Sequence, residues 1–260
     1  MRIFKLLLVG LTGVFWAGSA DAQTTVRFSS GDGTTITGYL MKPAGRGPFP
    51  AVVALHGCGG AMSTRDRAWG RRLVLAGHVV LFPDSFGSRG HGSLCRIKPR
   101  PVKQAQRVAD AQGARRWLAS QNFVKRGRIS ILGWSNGGST VLRTAASSAG
   151  RGFRRAIAFY PGCKAMLRNM KSRPTVPTKI IIGASDDWTP PGPCISLARR
   201  WGMQIVVYKG AYHGFDSPGS KLRKRHGMAF TKRGDGTVTV GENPTARRKA
   251  TGEVLRTLGR

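Results

Sequence analysis

The segment Gly133-Trp134-Ser135-Asn136-Gly137 places a serine between two glycines, each two residues away. The apolar run Ile129 to Leu132 precedes it, and a small-residue segment, Gly137 to Ala146, follows. A strand that hands over to a helix through such a pentapeptide turns too sharply to admit a Cβ at either glycine. The turn lifts the serine Oγ above the sheet edge and aims a helix N-terminus at charge developing there. A hydroxyl is a poor nucleophile unless a base removes its proton, so Ser135 in that role requires partners.

Those partners should follow in the order acid, then histidine. Asp186 and Asp187 come just after the predicted strand Lys179 to Ile182, and His213 just after the predicted strand Gln204 to Tyr208. His213 is expected to serve as general base and then as acid for the leaving group, with an aspartate orienting its ring. Asp186, nearer the strand end, is the first choice for that aspartate, and Asp187 is the alternative. An oxyanion hole needs two backbone N–H groups. Asn136 should supply one, and Cys58 in the loop His56-Gly57-Cys58-Gly59-Gly60 the other. Trp134 and Trp188 flank the serine and the acid, where packing beneath the site is their expected role.

The elements that must carry these groups alternate. Strands are predicted at Thr25 to Ser29, Ile36 to Lys42, Ala51 to Leu55, Val79 to Phe82, Ile129 to Leu132, Ala156 to Tyr160, Lys179 to Ile182 and Gln204 to Tyr208. Helices are predicted around Arg65 to Ala76, Val102 to Ala119, Gly137 to Ala146 and Cys194 to Trp201. The second of these has Val108, Ala111, Ala114, Trp117 and Leu118 recurring at helical spacing. Met228 to Val240 reads as a hairpin turning at Gly234-Asp235-Gly236, and Asn243-Pro244 caps a closing helix to about Leu258. Alternating strands and helices call for a largely parallel sheet covered on both faces. Working groups then collect at the carboxyl ends of the strands.

Arg2 and Lys5, the apolar stretch Leu6 to Gly18 and Ala20-Asp21-Ala22 have the three parts of a secretory signal over residues 1–22. The mature chain is expected to begin at Gln23, to be periplasmic or secreted, and to have no stable membrane insertion. Cys58, Cys95, Cys163 and Cys194 are then an even set in an oxidising compartment, consistent with two disulfides in any of three pairings. No pair has C-x-x-C spacing and histidine is scarce, so no metal is expected. Forty-three Lys and Arg against eleven Asp and Glu give a formal charge of +32. The charge is spread along the chain without a nucleic-acid-binding module, so it reads as a solvated basic surface open to nonspecific polyanion contact.

Five segments together resemble the dienelactone hydrolase family of α/β hydrolases: His56-Gly57, Pro83-Asp84-Ser85-Phe86, Gly133 to Gly138, Asp186 to Pro190 and Ala211 to Phe215. The resemblance runs from about Val26 to the closing helix. It implies the α/β-hydrolase fold in a single domain over 23–260, a small-molecule ester or lactone substrate and no cofactor. The namesake enzymes use a cysteine nucleophile, where this chain has Ser135, and hold a substrate carboxylate with two arginines. Arg89 resembles the first arginine, while the loop after His213 has no match for the second. A general carboxylester or lactone hydrolase working through an acyl-serine is therefore the expectation. The family's topology further implies Cys58–Cys95 and Cys163–Cys194 bridges. Two other readings stay open: an idle hydrolase fold that binds envelope polyanions, and an amidase or peptidase using the same triad.

Overall fold

The computed structural model describes residues 23–259. The predicted signal segment, residues 1–22, lies outside the described residues. Eight strands form one sheet in the order β1-β2-β4-β3-β5-β6-β7-β8. They are β1 (Thr24–Ser29), β2 (Thr35–Met41), β3 (Phe49–Leu55), β4 (Val79–Pro83), β5 (Val124–Trp134), β6 (Ala156–Phe159), β7 (Thr178–Gly183) and β8 (Gln204–Tyr208). β1 and β2 are antiparallel and β2 pairs antiparallel with β4; every other neighbouring pair is parallel. Every residue of β4 and β6, and Ala51 to Leu55 of β3, is buried. Strands buried on alternate residues of both kinds need cover on both faces, which explains their unbroken apolar runs.

Among the described residues six α-helices supply that cover: α1 (Thr64–Leu75), α2 (Gln104–Ser120), α3 (Asn136–Ala145), α4 (Cys163–Asn169), α5 (Pro191–Trp201) and α6 (Pro244–Gly259). Local chemistry sets their ends. Ser63 and Asp66 exchange side-chain and backbone hydrogen bonds at the start of α1, a reciprocal cap. The Asn243 Oδ1 accepts from the Ala246 N–H at 3.0 Å and opens α6. On α1, Gly70 lets the helix close on the sheet, because a Cβ there would meet the Met41 sulfur at 2.4 Å. Among the described residues no helix is long and apolar enough to cross a membrane.

Two expectations are corrected and one helix is added. The hairpin pairs β9 (Arg223–Arg225) with β10 (Val238–Val240), so Met228 lies within its long connection and not on a strand. The basic β9 carries no apolar alternation that would mark it in sequence. β5 begins at Val124, ahead of the expected Ile129, because Phe49 pairs with Val124 across a bulge. Charged residues at Lys125, Arg126 and Arg128 hide that extension. α4 is a short helix that follows β6 and has no amphipathic repeat long enough to announce it. Both disulfides are present, Cys58–Cys95 and Cys163–Cys194.

Candidate active site

Ser135 sits between β5 and α3 with φ 53° and ψ −113°, a strained conformation for a residue with a side chain. Three glycines make room for it. A Cβ at Gly133 would stand 2.6 Å from the Gly137 carbonyl oxygen, and one at Gly137 would stand 2.1 Å from the Leu55 carbonyl oxygen. A Cβ at Gly138 would stand 2.6 Å from the Phe159 carbonyl oxygen. Three backbones thus converge beneath the serine, with the Ser135 N–H bonded to the Phe159 carbonyl at 2.9 Å.

The loops after β7 and β8 bring the two remaining groups to the same edge. His213 Nε2 lies 3.0 Å from the Ser135 Oγ, and His213 Nδ1 lies 2.8 Å from the Asp186 Oδ2. Asp186 is buried, and the N–H groups of Trp188 and Thr189 donate to its Oδ1 at 3.0 and 2.8 Å. The Thr189 hydroxyl reaches Oδ2 at 3.0 Å. A carboxylate held by three local donors cannot rotate away from the ring it faces. The imidazole lies between the Tyr160 and Trp188 rings, with centroids at 4.6 and 4.8 Å, which fixes its plane.

Asp187 takes no part in this chain of contacts. Its two oxygens accept from the Thr239 N–H and hydroxyl, both at 2.8 Å, and tether β10. The carboxylate facing His213 is that of Asp186. Arg89 is likewise committed elsewhere. It grips Asp110 through two nitrogens at 2.8 and 2.9 Å, donates to the Ser85 carbonyl at 3.0 Å, and reaches Asp32 at 3.3 Å. It does not line the cavity above Ser135. The substrate-binding role suggested for it is therefore replaced by a structural one.

Asn136 is the first residue of α3, so its N–H has no carbonyl partner one turn earlier within the helix. Gly57, next to Cys58, packs close to Ser135: a Cβ there would lie 3.7 Å from the Ser135 Cβ. The Cys58–Cys95 bridge and a bond from the Leu94 N–H to the Cys58 carbonyl, 2.8 Å, hold that loop in place.

Several buried polar groups behind the site were not foreseen. Arg107 on α2 donates to the His56 carbonyl at 2.8 Å and to the Asn136 Oδ1, joining the two loops that carry the candidate oxyanion amides. Its burial pushes the guanidinium down to about 9. Arg107 shares a buried stripe with Ala111, Ala114 and Leu118, so its position on the apolar face was the available signal. His56 donates from Nδ1 to the Gly57 carbonyl at 2.7 Å and accepts the Ser85 N–H at Nε2, 3.2 Å, which defines one neutral tautomer. Burial, with Arg107 nearby, holds its pKa well below the ordinary value. Asp216 accepts from the indole N–H groups of Trp69 and Trp134 at 2.7 and 2.8 Å and from the Tyr160 hydroxyl at 2.5 Å. Burial raises the Tyr160 phenol well above its usual pKa, and the Asp216 charge adds to that. Trp134 is therefore part of the foundation, as expected, whereas Trp188 both packs on His213 and lines the cavity.

A mostly parallel eight-stranded sheet, with a strained serine at the end of β5, defines an α/β hydrolase. The model of the dienelactone hydrolase family matches residues 36–260, and the chain belongs to that family. Among named relatives, a Bradyrhizobium protein called "Probable 2-oxo-3-(5-oxofuran-2-ylidene)propanoate lactonase" is 24% identical, over 71% of this chain and 80% of its own. A solved structure assigned as a dienelactone hydrolase from Klebsiella pneumoniae superposes with a TM-score of 0.69 at 18% identity, covering 92% of this chain and 99% of that one. Thermogutta terrifontis esterase 2, solved with tabun bound covalently, superposes with a TM-score of 0.64 at 19% identity, over 94% and 96% of the two chains. Family and neighbours are hydrolases, and ester or lactone hydrolysis is the chemistry they suggest.

Proposed function

We propose that the protein is an exported serine hydrolase that opens carboxylic esters or lactones through an acyl-serine intermediate. The observation that carries this reading is the unbroken line Ser135 Oγ, His213 Nε2, His213 Nδ1, Asp186 Oδ2, with contacts of 3.0 and 2.8 Å. His213 takes the Ser135 proton as the oxygen attacks the substrate carbonyl, and Asp186 stabilises the imidazolium that results. The amides of Asn136 and Cys58 receive the oxyanion of the tetrahedral intermediate. His213 then protonates the leaving alkoxide, which in a lactone stays attached to the acyl chain. Water, deprotonated by the same ring, attacks the acyl-serine and releases the acid.

Two disulfides support an oxidising destination, and the basic start, apolar stretch and small-residue site of residues 1–22 support export. A fluorophosphonate probe should label the wild type and leave Ser135→Ala unlabelled. Hydrolysis of p-nitrophenyl acetate by that variant should fall by at least about a thousandfold. Folded wild type that neither labels nor hydrolyses esters would overturn the assignment.

A further inference from the structure

The cavity above Ser135 encloses about 630 Å³, a size that accommodates an organic ligand of several rings. Its floor is formed near Ser135, Asn136, Trp188 and Thr189. Its charge is all of one sign. Lys98, Arg100 and Lys103 line it from the segment leading into α2, Arg143 from α3, Lys164 and Arg168 from α4, and Lys232 from the loop before β10. No Asp or Glu lines it. Lysine and arginine are 43 of the 260 residues but seven of the 23 that face this cavity.

Pairing separates these cations from the structural ones. Arg65 is matched with Asp66, Arg89 with Asp110, Lys179 with Glu253 and Arg247 with Glu242. Among the described residues none of the seven cavity cations has a carboxylate partner. Arg100 is half-buried, with a carbonyl as its hydrogen-bond partner, that of Leu94 at 3.3 Å. Its guanidinium lies over the exposed Phe230 ring at 4.6 Å, and the Lys98 ammonium stands 5.7 Å from the same ring. Two like charges held at one aromatic ring repel each other, and desolvation lowers Arg100 to about 10. A bound anion relieves both costs.

We propose that this cleft takes an ester flanked by two or more negative charges, such as an acyl group carried on an acidic oligosaccharide. The inference rests on Ser135 being the nucleophile, and it adds the substrate class. A lone carboxylate is satisfied by one or two cations, and seven line this cleft. Cations contributed by four separate chain segments suit anionic groups spread along a longer ligand. The reaction is unchanged: the acyl carbon exchanges its alkoxide for the Ser135 oxygen and then for water.

The test compares kcat/KM on O-acetylated tetragalacturonate with O-acetylated xylotetraose, which present the same acetyl ester with and without carboxylates. Mono-p-nitrophenyl succinate against p-nitrophenyl acetate forms the small, singly charged arm. The acidic oligosaccharide should be favoured about tenfold or more at low salt, with the preference shrinking toward parity near about 0.5 M NaCl. The double variant Arg143→Gln/Arg168→Gln should cut that ratio severalfold. Lys125→Gln/Arg126→Gln removes the same charge from the exposed amino end of β5 and should leave the ratio intact. Equal rates on the two oligosaccharides, or equal losses in both double variants, would overturn the proposal. So would a preference confined to the succinate ester. If Ser135 still labels in those cases, the hydrolase assignment survives and only the substrate class fails; absent labelling removes both.

Discussion

Asp186 and Asp216 are two buried carboxylates on the loops after neighbouring strands β7 and β8, and they do different work. Asp186 is held by partners two and three residues away, and its free direction faces a ring that can carry a proton. Asp216 is held by Trp69, Trp134 and Tyr160, at sequence separations of 147, 82 and 56. A buried charge is tolerable when donors saturate it. With local donors, the charge becomes a fixture that a moving proton can feel. With distant donors, it becomes a cross-link between α1, the end of β5 and the end of β6. Burial and hydrogen bonding are common to the two carboxylates; the range of their partners sets them apart.

The largest expected effect tests the first half of that comparison. Asp186→Asn should lower kcat on p-nitrophenyl acetate by about four orders of magnitude while shifting the urea midpoint little. A loss below tenfold would show that Asp186 does not orient His213. Asp216→Ala should do the reverse. Three buried donors lose their acceptor, so stability should fall by about 3–5 kcal/mol in denaturant titrations, with activity per folded molecule reduced far less. An Asp216 variant as stable as the parent would break the cross-link reading.

Acid sharpens the contrast through a third buried group. His56 has a native pKa well below 6.5, so below about pH 6.5 the unfolded chain binds a proton that the native chain refuses. Stability should therefore decline as pH falls from about 6.5, and His56→Gln should flatten that part of a plot of urea midpoint against pH. A profile unchanged by the substitution would contradict it. The smallest effect belongs to Asp187→Asn. It loses charge from two bonds to Thr239, so about 1 kcal/mol of stability and a near-parental kcat are expected. A collapse in kcat would return Asp187 to the catalytic group.

Most of the fold was legible because its strands are short, apolar and β-branched, and because Ser63 and Asn243 cap the starts of α1 and α6. What was hidden had a physical reason. β9 is Arg223–Arg225, an exposed strand with nothing to bury, so it leaves no periodic trace. The site's own contacts divide the same way. Ser135, Asp186 and His213 follow strand ends in a fixed order, and the glycines around the serine record a clash that only backbone proximity creates. Arg107 and Asp216 announce nothing of the kind, because their partners lie on remote elements. Arg89 misled for the complementary reason: a likeness in position says nothing of Asp110, which the fold sets against it.

The socket around Ser135 is built from main chain. Gly133, Gly137 and Gly138 form its walls, and the backbone of Leu55, Gly137 and Phe159 fills the space their missing side chains leave. Nothing in that main-chain arrangement calls on whether the atom at the tip of residue 135 is oxygen or sulfur. An exchange of serine for cysteine would alter reactivity, acidity and leaving-group tolerance while the scaffold stayed indifferent. The socket is thus a mount made of main chain, which Ser135→Cys would leave untouched.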